Sequence, residues 1–228
     1  MGRPSMSEES IRANKVMIIR AAMDMIRKSG IQSVSARPLG ARVGMNSALI
    51  YRYFSDIDEV ILFACVHVLQ EYSEEMVSAS RLIPDLTEGP DHSEPDDEQI
   101  YLLSWELFCK HAFSNPEEYT YLFFSKHSAE LESIIKEYYV LFPHEQADDS
   151  DIILEAMFRT SNLASRNLFL LIPVLDGKHT EQEIILINDI TVSFFYSLLS
   201  QLSVHDEGVT AESQTQRMLH ACRFLADL

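Results

Sequence analysis

Between residues 35 and 54 the chain gathers hydroxyls, guanidinium groups and phenols at helical spacing. At 100° per residue, Ser47, Ala48, Tyr51 and Arg52 fall on one side of a helix from about Ser47 to Tyr53, and Leu49, Ile50, Tyr53 and Phe54 fall on the other. A small, polar and basic front over a greasy back suits a groove lined with hydrogen-bond acceptors. It holds no His, Cys or carboxylate, so it is poorly equipped for acid–base or nucleophilic work. A shorter helix from Ser35 to about Val43 precedes it, and Gly44 supplies the backbone freedom for a sharp turn before Asn46 caps the second helix. Two short helices joined this way are the sequence form of a helix-turn-helix reader.

The remaining chemistry is sparse. Eight histidines are scattered without a His-Glu-x-x-His pattern, and there is no glycine-rich phosphate loop and no Gly-x-Ser-x-Gly, so an enzyme is not expected. Cys65, Cys109 and Cys222 are far apart and set in apolar helical sequence, which fits buried thiols rather than disulfides or a zinc site. Asp148, Asp149 and Asp151 lack the glycine and spaced glutamate of a calcium loop and read as a solvated turn. No cofactor and no metal are expected. The aromatic residues Trp105, Phe108, Tyr121, Phe123, Phe124, Tyr138, Phe158 and Phe169 read singly as core, and together they have the makings of an apolar cavity. His111, Asn162 and Arg166 are polar groups on otherwise apolar helices and could orient a ligand, or equally serve as helix-face or interface residues. The ligand-binding candidates are therefore Trp105, Phe108, His111, Phe158, Asn162 and Arg166.

The elements that would position these groups are helices. Apolar residues recur at three- and four-residue spacing, as in Ile11, Ile18, Ile19, Ala22, Met25 and Ile26, and the expected fold class is all-α. Ser7 before Glu8 and Glu9 starts a first helix and Gly30 ends it; a fourth runs from near Asp56 to about Ser80. Pro84 to Glu98 reads as an exposed acidic loop. Further helices are expected near 98–114, 116–125, 127–141, 150–172, 181–204 and 211–226, with breaks at Pro143, at Pro173 to Gly177 and at Asp206 to Gly208. This divides the chain into a reader at 1–55 and a larger helical domain at 56–228.

The formal net charge of −17 argues against a polyanionic partner until it is resolved along the chain. Through Phe54 there are nine basic residues against three acidic, a net of +6. The other 174 residues hold nine basic and 32 acidic groups, a net of −23. One end is drawn to nucleic acid while the rest is repelled by it, which orients the molecule.

Helices 150–172 and 181–204 are apolar almost all round, as in Ile184 to Ile187 and Phe194 to Tyr196. Such helices need burial on both sides, and a partner subunit is the economical second side. A homodimer through a four-helix bundle is expected. No apolar run approaches the roughly 20 residues of a membrane span, and the first residues carry no export core, so a cytoplasmic protein without a membrane partner is expected.

From Ile18 to Val60 the sequence resembles the N-terminal signature of the TetR family of transcriptional regulators. The resemblance rests on Ala21-Ala22, Gly30, the run Ser35-Ala36-Arg37-Pro38-Leu39-Gly40-Ala41-Arg42-Val43-Gly44, and Leu49-Ile50-Tyr51-Arg52-Tyr53-Phe54-Ser55-Asp56. Beyond about residue 80 the likeness is only that the chain is helical. The resemblance implies that Arg37, Ser47, Ala48 and Arg52 face base edges in the major groove of double-stranded DNA, while Ser35, Tyr51 and Tyr53 meet phosphates. The helical reading, which turns Tyr53 inward, weakens its part. Arginine's two bonds to guanine and the close approach that Ala48 permits agree with these assignments.

Two departures stand out. Ile57 replaces a lysine the family often has at the start of the fourth helix, which removes a phosphate-binding cation or passes its part to backbone amides near Asp56. Gly40 lies inside a helix at a cost of about 1 kcal/mol against alanine, and close packing of helices two and three would explain it. The expected function is a ligand-responsive repressor that reads a pseudo-palindromic operator as a homodimer and is released by a small, largely apolar effector. A second reading, a helical small-molecule-binding or interaction protein without DNA binding, is motivated by Ile57 and the total charge. Replacing Arg37 and Arg52 by alanine separates the two.

Overall fold

The computed structural model describes residues 7–76, 78, 96–143, 162–203 and 208–228. Among these, the chain forms α-helices and short 3₁₀ turns, with no strand. Helix α1 spans Glu8–Ser29; the Ser7 side chain accepts from the Ser10 amide, Glu8 and Glu9 sit in the first turn, and the Gly30 amide donates to Ile26 at φ +75°. Ile18, Ile19, Ala22, Met25 and Ile26 form its buried stripe. Helices α2 (Ala36–Arg42) and α3 (Ser47–Ile50) follow, and α4 (Ile57–Cys65) continues through a 3₁₀ turn at Val66–Val68 into helix over 69–76.

Helix α4 is the hinge of the architecture. Every side chain from Val60 to Val66 is buried, so it has no solvent face. It packs on α1 on one side and on α6 (Pro116–Phe124) and α7 (Leu131–Leu141) on the other. A helix apolar all round has to be covered all round, and here the two parts of the molecule supply the two covers. The remaining bundle consists of α5 (Asp97–Ser114), α8 (Leu163–Leu175), α9 (Glu181–Ser203) and α10 (Ala211–Leu225). Helix α5 packs on α10 and α8, and α8 with α9 makes a helical hairpin through Gly177 at φ +73°.

Several expected boundaries shift for physical reasons. The third helix is regular only to Ile50; Arg52 and Tyr53 then donate to Leu49 and Ile50, three residues back, a tighter winding than 100° per residue assumes. Leu49, expected inside, is exposed, while Ile50 and Phe54 are buried. Helix α7 begins at Leu131 rather than 127, after a 3₁₀ turn at Ser128–Glu130. Helix α8 runs through Pro173 to Leu175 instead of breaking there, because a proline so near the end costs only one terminal hydrogen bond. The expected start of that helix at 150 and most of the acidic loop lie outside the described residues.

Helix α9 passes the length and hydropathy test for a membrane span, with a mean hydropathy of 1.4 over its most apolar stretch. Its inner face, however, packs on the bundle and carries Asn188, buried and hydrogen-bonded to Asn167. Its other face is apolar and exposed at Ile185, Leu186 (58% exposed) and Ile190, and α8 adds Phe169 (72% exposed) and Ile172. Phe169, expected in the core, belongs instead to this outer row.

Candidate nucleic-acid interface and effector core

The reader is held together by a close approach that only glycine permits. A Cβ on Gly40 would stand 2.8 Å from the Met45 carbonyl oxygen and 3.1 Å from the Ser47 amide nitrogen, both backbone atoms unable to step aside. The Met45 amide donates to the Gly40 carbonyl at 2.8 Å, and Gly44 turns the chain at φ +67°. Helices α2 and α3 are thereby fixed against each other over a floor of Leu39, Ile50 and Phe54, each of whose burial is worth about 1.5–3 kcal/mol.

On the outer side, Ser35, Arg37, Ala48, Tyr51 and Arg52 are exposed, and Ser47 is half-buried. Ser35 occupies the N-cap position of α2 without using its side chain to cap it, which leaves its hydroxyl available. Asn46 caps α3 by accepting from the Ala48 amide at 3.0 Å. Tyr53 is half-buried, and its hydroxyl accepts from Asn14 Nδ2 at 3.0 Å, which ties the end of the reader to α1.

The cations of this region divide into two sets. Arg27, Lys28 and Arg42 all bind Asp24, whose pKa is lowered to about 2 by hydrogen bonds from Lys28, then Arg42 and Arg27. Lys15 pairs with Glu137 at 2.5 Å, Arg12 donates to the Val140 carbonyl, and Arg20 lies over the Phe142 ring. Among the described basic residues up to Phe54, Arg37 and Arg52 have no partner among the described residues. Unneutralised guanidinium groups on the outer surface of a glycine-turned helix pair are suited to phosphates and to guanine edges.

The start of α4 differs from the expectation for Ile57. Asp56 accepts from the Glu59 amide at 2.9 Å and Glu59 from the Ser55 amide at 2.5 Å, so carboxylates already occupy the amides nearest Asp56. Ile57 is half-buried against the core. The nearest cation comes from elsewhere: Lys126 reaches Asp56 at 3.1 Å and Asp58 at 2.5 Å. Asp56, Asp58 and His127 lie within 4.8 Å of one another, and the Lys126 ammonium is the cation at this cluster.

This cluster is a latch between the start of α4, where the reader ends, and the segment that follows α6. His127 Nε2 lies 3.0 Å from Asp56 Oδ2, the Tyr121 hydroxyl donates to Asp58 at 2.6 Å, and Glu117 accepts from the Ile31 amide at 3.3 Å. Burial disfavours charge on His127, yet hydrogen bonds to Asp56 and Glu130 outweigh it and hold the pKa above 6.5. Burial likewise opposes ionisation of Asp56, but the Glu59 amide, His127 and Lys126 bring it down to about 2. Helix α6, which carries this latch at its ends, also touches α9 through Phe124, 4.5 Å from the Tyr196 ring.

Inside the bundle the rings of Trp105, Phe108, Phe123, Tyr119 and Phe195 form one cluster around Phe108, with centroid spacings of 5.2–5.9 Å. Of the ligand candidates, Trp105 and Phe108 are in it. Arg166 joins it, its guanidinium 5.2 Å from the Phe123 centroid. His111 lies at the edge, its ring 5.7 Å from Tyr72, with Nε2 at 2.7 Å from Glu75. Asn162 is not in the cluster: it is exposed and spends its side chain as the N-cap of α8, accepting from Ser165 at 2.8 Å. Phe158 lies outside the described residues. Trp105 Nε1 donates to Asn167, and Asn167 donates to Asn188, a buried polar chain linking α5, α8 and α9.

Sequence reasoning overlooked Tyr72, Asn167, Asn188, Phe195 and the latch. Asn167 and Asn188 offered a signal, since each is a polar residue in an apolar helical run. The latch offered none, because Asp56 and His127 are 71 residues apart. The three cysteines are buried and unbridged as expected; burial drives the thiol pKa of Cys65 and Cys109 well up and that of Cys222 to about 12.

Residues 18–63 match the family model of the bacterial regulatory proteins of the tetR family. No curated protein matches the chain by sequence. Among solved structures, the fold is similar to that of Thermus thermophilus FadR, a TetR-family transcriptional repressor crystallised with lauroyl-CoA. The TM-score is 0.54 at 12% identity, covering 91% of this chain and 92% of that one.

Proposed function

Starting from membership of the TetR family, carried by the signature at residues 18–63, we propose that this protein is a ligand-responsive DNA-binding regulator acting as a repressor. In this reading residues 1–55 are the reader, and 56–228 form the effector-binding and dimerising domain. The observation that carries the reading is the pair of outward cations, Arg37 and Arg52, without a partner among the described residues while the neighbouring basic side chains are engaged within the chain. Arg37, Ser47, Ala48 and Arg52 meet base edges; Ser35 and Tyr51 meet phosphates. Tyr53, whose hydroxyl already accepts from Asn14, has the weaker phosphate role.

Two copies join through α8 and α9, whose outer row of Phe169, Ile172, Ile185, Leu186 and Ile190 is an apolar surface of the kind a second copy covers. Two readers then fall on half-sites about 34–36 Å apart, or a multiple of it, on a pseudo-palindromic operator. A small, largely apolar effector enters the aromatic core around Trp105 and Phe108 and changes the relation of the two readers, with α4 and the α6 latch transmitting the change. The acyl ligand held by the structurally similar FadR is consistent with an apolar effector. The protein acts in the cytoplasm, where its operator is.

Nuclease protection of the DNA upstream of the protein's own gene tests this. Two symmetric protected half-sites at helical-turn spacing are expected, and uniform cleavage would overturn the DNA reading. In sedimentation, twice the chain mass is expected; a monomer at micromolar concentration would remove the dimer.

A further inference from the structure

Leu49 presents an isobutyl group to water from the outer surface of α3. It is 37% exposed, whereas Ile50, the next residue, is fully buried. A single exposed leucine is ordinary on a protein surface, and this one gains its meaning from its neighbours. Ala48 beside it is also exposed, and the Arg52 amide donates to the Leu49 carbonyl at 3.1 Å. In winding of three residues per turn, side chains three apart lie one above the other, about 6 Å apart along the axis. Leu49 and the outward Arg52, which has no partner among the described residues, therefore stand side by side on the reader's outer surface. The backbone beneath them is fixed: Asn46 caps α3 at the Ala48 amide, and the Gly40 carbonyl holds the Met45 amide at 2.8 Å.

We infer that Leu49 is a base-reading residue: its isobutyl group meets the C5-methyl of a thymine in the major groove, within two base pairs of a guanine held by Arg52. The inference rests on the DNA reading proposed above and deepens it by naming a base and the side chain that selects it. Thymine alone among the four bases carries a methyl group on its major-groove edge, and apolar contact is how a protein reads it. A leucine side chain has no donor or acceptor for a phosphate or a base edge, so methyl contact is the chemistry left to it there. The spacing between Leu49 and Arg52, about 6 Å, is shorter than two base-pair rises of roughly 3.4 Å each, which sets the limit of two base pairs. Cytosine in place of the thymine would put an amino donor against the leucine without a partner, so the side chain rejects as well as selects.

Titration of the full-length protein with the duplex protected from nuclease, each half-site thymine replaced in turn by deoxyuridine, tests this. The replacement removes the methyl group and nothing else. One thymine in each half-site is expected whose replacement weakens binding about fourfold, the worth of one buried methyl group. Leu49→Ala is expected to lose the sensitivity to that replacement, and Leu49→Met, which keeps an apolar reach, to retain it. Arg52→Ala is expected to keep the thymine sensitivity and to become indifferent to 7-deazaguanine at a guanine within two base pairs. Binding that ignores every thymine methyl, a sensitivity that survives Leu49→Ala, or a guanine partner of Arg52 lying farther away would each overturn the inference. Wild-type protein that binds no duplex would take the DNA reading down with it, whereas a duplex bound without any methyl effect would sink this inference and leave that reading standing.

Discussion

The reader and the bundle both depend on arginine, and they use it in opposite ways. Arg37 and Arg52 stand in water with no partner among the described residues, whereas Arg166 is sunk among aromatic rings with its pKa drawn down to about 10. An exposed guanidinium costs little to keep and gains when it displaces counterions from a polyanion. A buried one is expensive and has to be held by its surroundings. The same side chain is thus kept solvated at one end of the molecule and enclosed by rings at the other. Between them the half-buried carboxylates of Asp56 and Asp58 hold the exposed Lys126 and the half-buried His127 as a latch.

The largest effect expected from breaking this comparison comes at the reader. Arg37→Ala with Arg52→Ala should weaken operator binding roughly thirtyfold or more, at about 1–3 kcal/mol for each arginine, while the melting temperature and effector binding stay as they were. A variant that binds DNA normally would erase the distinction between the two kinds of arginine.

Next is Gly40→Ala. Its Cβ meets backbone at 2.8 Å, so about 1–3 kcal/mol of strain falls on the packing of α2 against α3. DNA binding should fall while ligand titrations of the bundle remain normal. Asn188→Leu sharpens the contrast from the other side. It strands the Asn167 amide that now donates to it at 2.9 Å, and should cost about 1–3 kcal/mol in thermal unfolding. Asn167→Leu together with Asn188→Leu should cost less than the sum of the two single changes, because the second removes a group the first leaves unsatisfied.

Legibility of the sequence follows the same division. The reader was visible because its determinants are local: Ser7, Gly30, Gly44 and Asn46 act on neighbours a few residues away, and Gly40 announced a close approach that the Met45 carbonyl explains. Even there, Leu49 is exposed against the helical reading, and the winding tightens to three residues after Ile50. The bundle's helices were legible and its chemistry mostly was not. Asn162 read as a polar group for a ligand and proved to be a cap, because an N-cap and a pocket residue look alike until the helix start is known. Phe169 read as core and faces outward, where the outer side of α8 and α9 keeps the apolar character of a buried helix. The latch joins residues 63 to 86 positions apart, and spacing along the chain carries no trace of such pairs.

The smallest expected effect is in the latch. His127 has its folded pKa raised above 6.5, so its contribution is fully present below about pH 6.5 and is lost as pH rises through the higher folded value. The imidazolium faces Asp56 and Glu130, with Lys126 on the same carboxylate; Asp56, with its pKa near 2, stays ionised throughout this range. Raising the pH from 6 to 8 should therefore loosen the start of α4 from the segment after α6 by less than about 1 kcal/mol. His127→Gln should remove that share of the pH dependence of the melting temperature. An unchanged pH profile would make the pair a surface interaction without a role in coupling.

The central claim, that two unpartnered arginines make the N-terminal helices a DNA reader, is tested most directly by operator affinity measured across a salt series. For the full-length protein the expected result is a steep fall in affinity as salt rises, and for the Arg37→Ala, Arg52→Ala variant a markedly lower operator affinity at every salt concentration, with less discrimination between operator and unrelated DNA. Two superimposable lines, or affinity indifferent to salt in the wild type, would contradict it.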